Sequence, residues 1–346
     1  MARWPDDQMT RCHNDGVPFV LSFHAGYRCR DEGVCCTSGW PIPIEDDRAA
    51  LVRSARAAGR LTASRPFARF DEGELVLTVV DEACVFYRAG ADRGCGLQRA
   101  LGHEALPLAC RQFPRVSVRD PRGLSVTLSH YCPTAAAMLG QNAGATIVNS
   151  PQGFPIDGEY VGLDAAEGLP PRLRPDMLMD WESWWTWERL VVATLSATSD
   201  IVQALAQIHA AVEYVRPWRP HEGPLSDRVV EAFSRPAGAP AIAMTDSARL
   251  CDEVLREIPG ARQPQPATKA TAGVTFPVLR NFLIAHAFAN WTAHLGDGLR
   301  TWLRSLEAAH ALVASGLTVS TADLYLRHLA NPAELARCWS DAERGQ

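Results

Sequence analysis

Along the second half of the chain, apolar residues recur three and four positions apart over 178–197, 199–215, 225–235, 244–258, 277–294, 296–315 and 320–345. That spacing is the stripe an amphipathic helix uses to bury one face, and it predicts a helical domain. The pattern is interrupted at 259–273, PGARQPQPATKATAG, whose composition is that of a loop. In the first half the period shortens: ELVLTVV, residues 74–80, alternates like a strand, and 115–129 reads as a hairpin turning at Asp120-Pro121 and Gly123. Residues 45–59 open on acids and close on Gly59, the polarity of one short helix. Between the halves, 149–176 is rich in Pro and Gly and follows neither period, which sets a boundary there. The predicted organisation is a domain over 1–150, a linker over 151–174 and a helical domain over 175–346. No fixed-period repeat is visible.

Composition changes this picture in three respects. A chain of 346 residues with 47% hydrophobic content can bury a large core, so global stability requires no metal or disulfide staple. A net charge of −5 gives no basic footprint for duplex nucleic acid or an anionic membrane, so neither is expected as a partner. The first 21 residues, MARWPDDQMTRCHNDGVPFVL, contain no apolar stretch after a basic start, which predicts no secretory signal, no membrane span and a cytoplasmic location.

The cysteines carry the chemistry. Ten are present, and seven of them, Cys29, Cys35, Cys36, Cys84, Cys95, Cys110 and Cys132, fall within about one third of the chain; Cys12, Cys251 and Cys338 are scattered and read as ordinary thiols. Without an export signal, clustered thiols point to metal ligands more than to disulfides. Seven exceed the four that a single structural zinc uses, which favours an iron–sulfur cluster, a four-iron centre among them, and leaves zinc as the alternative. Adjacent side chains in extended chain point to opposite faces, so Cys35 and Cys36 are expected to serve different metals, or one to ligate while the other packs. Gly94 and Gly96 flank Cys95 and leave backbone N–H groups free to turn toward its sulfur, and Cys132-Pro133 has the form of a step that closes iron–sulfur ligand runs. The fold class expected is mainly α, with a small loop-rich α+β cysteine-cluster region: a metal-organised N-terminal domain followed by a helical domain.

Four further residues lie close to these thiols in sequence. His103 and His130 are candidate ligands or proton carriers, and Arg111 and Arg115, which flank CRQFP, could offset thiolate charge or hold an anionic cofactor. Against each stands the simpler reading of a satisfied structural histidine or a cap on local carbonyls. Trp181, Trp184, Trp185 and Trp187 crowd one predicted helix; an aromatic groove for a peptide is one reading, and core, the usual role of such a stripe, is the preferred one. No Ser/His/Asp set, phosphate loop, HExxH or paired-carboxylate pattern rises above background, so no catalytic residue is assigned.

At RCRDEGVCCTSGW (28–40), DEACVFY (81–87), GCGLQRALGHEALPLACRQFPR (94–115) and LSHYCP (128–133), the chain resembles the cysteine-cluster family of zinc- or iron-chelating domains, and within it the flagellin lysine N-methylase branch. Weaker similarity continues at WWTWERLVVATL (184–195) and LRNFLIAHAFANW (279–291). The resemblance implies a cysteine-bound metal or iron–sulfur centre and S-adenosylmethionine-dependent methylation of lysine side chains on a protein or peptide, flagellin in that branch. Members of the family often carry a further cysteine just before the first one here, where this chain offers Phe23, His24 and Tyr27; His24 could substitute as a ligand. No glycine-rich turn of a doubly wound fold and no CxxxCxxC is present, and LGDGLR (295–300) is a poor match, so methyl transfer rests on the resemblance alone. The alternatives are a non-catalytic iron- or zinc-binding or sensing module and a redox accessory protein.

Overall fold

The computed structural model of the chain describes residues 9–13, 16–70, 73–150, 154, 159–235 and 274–327. A mixed six-stranded sheet runs through it, formed by β1 (Met9–His13), β2 (Phe19–Leu21), β3 (Arg115–Asp120), β4 (Gly123–Leu128), β5 (Ile147–Asn149) and β6 (Glu159–Asp164). The spatial order is β1-β6-β3-β4-β2-β5. The predicted hairpin is β3–β4, with Arg115 opposite Leu128 and Asp120 opposite Gly123. β6 lies parallel to β3, pairing Gly162 with Ser117, and β2 lies parallel to β4.

Because side chains alternate across a strand, the sheet serves two cores. Leu21, Val118 and Leu163 enter the large core shared with the helices. Val20, Val126, Leu128 and Tyr160 face a smaller one with Tyr27, Phe154 and Cys132.

Ten α-helices are described: α1 (Asp46–Ala57), α2 (Gly96–Leu101), α3 (Leu108–Gln112), α4 (Pro133–Met138), α5 (Trp181–Ala197), α6 (Ile201–Val215), α7 (Leu225–Ser234), α8 (Phe276–Ala287), α9 (Leu299–Ala314) and α10 (Val319–Arg327). Helices α5 and α6 begin where the Asp180 and Asp200 side chains accept hydrogen bonds from backbone N–H groups of the first turn, the usual stop for orphan donors. α5 buries Trp184, Trp187, Val191 and Leu195 on one stripe, while Trp181 and Trp185 are partly buried against the same core.

The expected fold class is corrected by this architecture. The chain is mixed α/β, with a central sheet and several two- and three-stranded pieces. Strand β6 lies within the segment read as a linker and pairs with both β1 and β3. The cysteine-bearing region is not metal-organised as expected: among the described residues, no group of three or more His, Cys, Asp or Glu side chains is arranged to hold a metal ion. What organises it is apolar packing of Ala49 and Val52 of α1 against Leu77, Phe86, Leu97 and Leu106. Such burial contributes roughly 1.5–3 kcal/mol per large side chain, enough to hold short strands and turns together. The expected helix over 244–258, the loop over 259–273, and Cys251 and Cys338 lie outside the described residues. No described helix is long and apolar enough to cross a membrane.

A cysteine cluster bordering a cavity

Five of the seven clustered cysteines share one hydrophobic neighbourhood, with Cys36 and Cys84 buried and Cys35, Cys95 and Cys110 half-buried. Each arrives on a different local device. Cys35 and Cys36 sit in a 3-10 turn, Val34–Thr37. That turn, in place of the expected extended chain, allows both adjacent thiols to reach the group. Gly33 opens the turn with φ +68°, and its backbone lies so close to Gly94 that a Cβ on Gly33 would stand 2.7 Å from the Gly94 Cα. A side chain at Gly33 would therefore push the Cys35–Cys36 turn away from Cys95.

Cys84 and Cys95 lie on two short antiparallel ribbons, where they pair with Val79 and Tyr87. Cys95 also precedes α2, and its sulfur accepts a hydrogen bond from the Gln98 backbone N–H. Cys110 lies in α3, whose first residue, Leu108, donates its N–H to Glu45 at the start of α1.

The electrostatics of the group follow from this crowding. The Cys36 thiol hydrogen-bonds to Cys35, Cys84 and Cys95, which pushes its own ionisation far up. The same bonds draw Cys35 and Cys84 below the ordinary thiol range and bring Cys95 down to about 7. Backbone N–H groups help, from Phe86 at Cys84 and from Gln98 and Leu97 at Cys95. Cys110 moves the other way, held protonated by burial and then by the negative charge of Cys95, Cys35 and Cys84. One S–H proton cannot serve three sulfur acceptors at once. A thiophilic cation would relieve that shortage, and an all-sulfur donor set with N–H···S support has the chemistry of zinc or iron–sulfur ligation. By donor chemistry, then, Cys35, Cys36, Cys84, Cys95 and Cys110 fit such a centre, although as placed they form no ready-made ligand shell.

The remaining candidates fall elsewhere. Cys29 is exposed and Cys132 buried, and they are joined through the Tyr27 hydroxyl, which lies 3.7 Å from the Cys132 sulfur and also hydrogen-bonds to Cys29. Burial is the main cause that raises the Cys29 ionisation. His103 is exposed on the 3-10 turn after α2. His24 and His130 are fully buried against each other, with Nε2 atoms 3.2 Å apart, and His130 faces Asp323 at 3.9 Å. Arg111 approaches Glu104 at 3.8 Å. Arg115 lies over the rings of Tyr27 and Phe154 and donates to the Arg111 carbonyl.

Beside the five thiols is a cavity of about 390 Å³, also lined by Trp40, Phe113, Arg115, Ser129, Trp291 and Arg327. The last two belong to the helical half. The sequence assigns no site role to Trp291, Arg327 or Ser129, although Ser129 and Trp291 lie in segments that carry the resemblance, since only tertiary packing brings them to a cavity. Compared with known protein families, curated proteins and solved structures, the chain matches none.

Proposed function

We propose that the chain is an iron–sulfur protein whose centre is held by sulfurs from Cys35, Cys36, Cys84, Cys95 and Cys110, and that it methylates lysine side chains of a protein or peptide with S-adenosylmethionine. The observation that supports the metal reading is the convergence of these thiols around Cys36, with three of them shifted toward the thiolate form. Thiolates are the form that ligates, and ligand affinity rises as the proton becomes easier to lose. An iron–sulfur centre would supply redox or substrate-binding chemistry beside the cavity. Methyl transfer is supported by the resemblance and by the presence of a cavity large enough for a small molecule next to the sulfurs.

The test is anaerobic purification followed by iron, sulfide and zinc analysis. Iron and sulfide in stoichiometric amounts, lost together in Cys95→Ser, are the expected result. Stoichiometric zinc with no sulfide would replace the cluster by a structural ion, and full metal content in both Cys95→Ser and Cys110→Ser would remove the ligand assignment. For the reaction, mass spectrometry of a lysine-containing peptide incubated with the donor and metal-loaded protein should show an added methyl group. Absence of donor binding in calorimetry would remove the methylase half and leave the metal half standing.

A further inference from the structure

We infer that the cavity beside the thiols is a binding site for a small organic anion, a carboxylate or phosphate carried on an aromatic body. Apart from the thiols, the only charged side chains among its described lining residues are two arginines, Arg115 and Arg327; no Asp, Glu, Lys or His contributes. The other walls are apolar and aromatic, with Trp40 and Phe113 edge-to-face at 5.9 Å between ring centres, Trp291, and aliphatic residues such as Leu97 and Leu106. A few polar groups placed in an apolar concavity of this size is the usual design of a small-molecule site.

The fixed charge among the lining side chains is that of the two guanidinium groups. Arg327 binds Asp323 through Nε at 2.9 Å and Nη2 at 3.2 Å, while Nη1 makes no hydrogen bond among the described residues. Asp323 is itself saturated, accepting also from the Ser129 hydroxyl and the Tyr131 backbone N–H, so it competes weakly for a second cation. Guanidinium groups match carboxylate and phosphate oxygens in geometry as well as in sign. Flat rings such as Trp40, Phe113 and Trp291 match an aromatic body. The inference rests on the arginines and rings of the cavity; thiolate charge on Cys35, Cys84 and Cys95, which also line it, opposes an anion, so the site is strongest where those sulfurs are protonated or neutralised by a bound cation.

Three probes of equal ring size separate the contributions: 2-naphthoate, 2-naphthyl phosphate and uncharged 2-naphthol, titrated by calorimetry into the full-length protein as purified. At least one anion should bind tenfold or more tightly than 2-naphthol, as expected for a charge-assisted contact in a partly desolvated site. The stronger of the two anions identifies the headgroup. Arg327→Gln and Arg115→Gln should each weaken that anion about tenfold and leave 2-naphthol unchanged. Should either variant fail to fold, the salt dependence of the unaltered protein decides: raising ionic strength should weaken the anion and spare the neutral probe. Equal affinity of all three probes, or no binding at all, would overturn the inference, while the metal content measured on the same preparation would be unaffected.

Discussion

Ser129, which follows β4, donates a 2.5 Å hydrogen bond to the carboxylate of Asp323 in α10. Both residues are buried, and the bond ties the sheet to a helix near the far end of the described chain. Asp323 also pairs with Arg327, and these interactions hold its carboxyl below the usual range despite burial, which acts in the opposite direction. Replacing one partner of a buried pair strands the other charge, a loss of about 3–5 kcal/mol. Asp323→Asn should therefore destabilise by roughly that amount in urea denaturation, and Ser129→Ala by about 1–2 kcal/mol. Equal stability of Asp323→Asn and the parent would show that Arg327 finds another partner.

A second ion pair locks the opposite end of the β3–β4 hairpin. Arg122, in the β3–β4 turn, reaches Glu188 of α5 at 2.9 Å, and the other Glu188 oxygen accepts the Ala289 backbone N–H at 3.1 Å. Glu188→Gln keeps the shape and removes the charge. Arg122 then keeps only Asp120 as a counter-charge, in a longer contact at 3.6 Å, so we expect a loss of about 1–3 kcal/mol, read as a lower denaturation midpoint with an unchanged slope.

Buried histidines set a pH limit. Burial brings His286 and His294 down to about 4, with Arg327 and Arg172 respectively adding to the effect. Their folded-state ionisation lies below the unfolded value of about 6.5, so the unfolded chain binds more protons. The histidine contribution should be level above pH 6.5 and fall as pH drops toward 4, by at most about 3 kcal/mol per histidine. Denaturation midpoints at pH 7.5, 6 and 5 test the sign, and a flat profile across them would contradict it.

The elements legible in the sequence were those whose signal is local. α1, the β3–β4 hairpin and α5–α7 each carry their own period, and α5 and α6 their own aspartate caps, so their limits agree closely with the pattern. β2 and β5 were not legible, because three residues cannot display an alternation. β6 was hidden by its Pro- and Gly-rich surroundings, and it becomes a strand through pairing with β1 and β3, a partnership no local window contains. The candidate site divides the same way. Cysteine enrichment pointed to Cys35, Cys36, Cys84, Cys95 and Cys110, but Cys29 and Cys132 were indistinguishable from them in sequence and settle around Tyr27 instead. Arg327 and Trp291 reach the cavity only because α8 packs on β4 and Asp323 of α10 holds Ser129 at the end of that strand.

Thiol reactivity should separate the cluster from its neighbours. In metal-free, reduced protein, Cys95 ionises at about 7 because Cys36 hydrogen-bonds to it. Cys29 is more exposed yet raised in ionisation, mainly by its partial burial. The thiolate is the nucleophile, so at neutral pH iodoacetamide should label Cys95 before Cys29, and Cys29 before Cys36 and Cys110, as followed by peptide mass spectrometry. Labelling in plain order of exposure, with Cys29 first, would contradict the hydrogen-bonded group around Cys36.

Gly162 offers the sharpest test of how sheet and cavity depend on each other. It sits in β6 opposite Ser117 of β3 and borders the cavity. A Cβ built there would overlap the Ser117 carbonyl oxygen and its hydroxyl, and a strand backbone cannot yield without losing its neighbours' hydrogen bonds. Gly162→Ala therefore has to part β6 from β3, and overpacking of this kind costs about 1–3 kcal/mol. Trimming the hydroxyl in Ser117→Ala removes only one of the two obstacles, so the double variant should recover a minor part of the loss. Because β3 also carries Arg115, the single variant should weaken binding of the anionic naphthalene probe even where the protein stays folded. A Gly162→Ala protein with parental stability and parental probe affinity would mean that β6 and β3 are not held in the observed register.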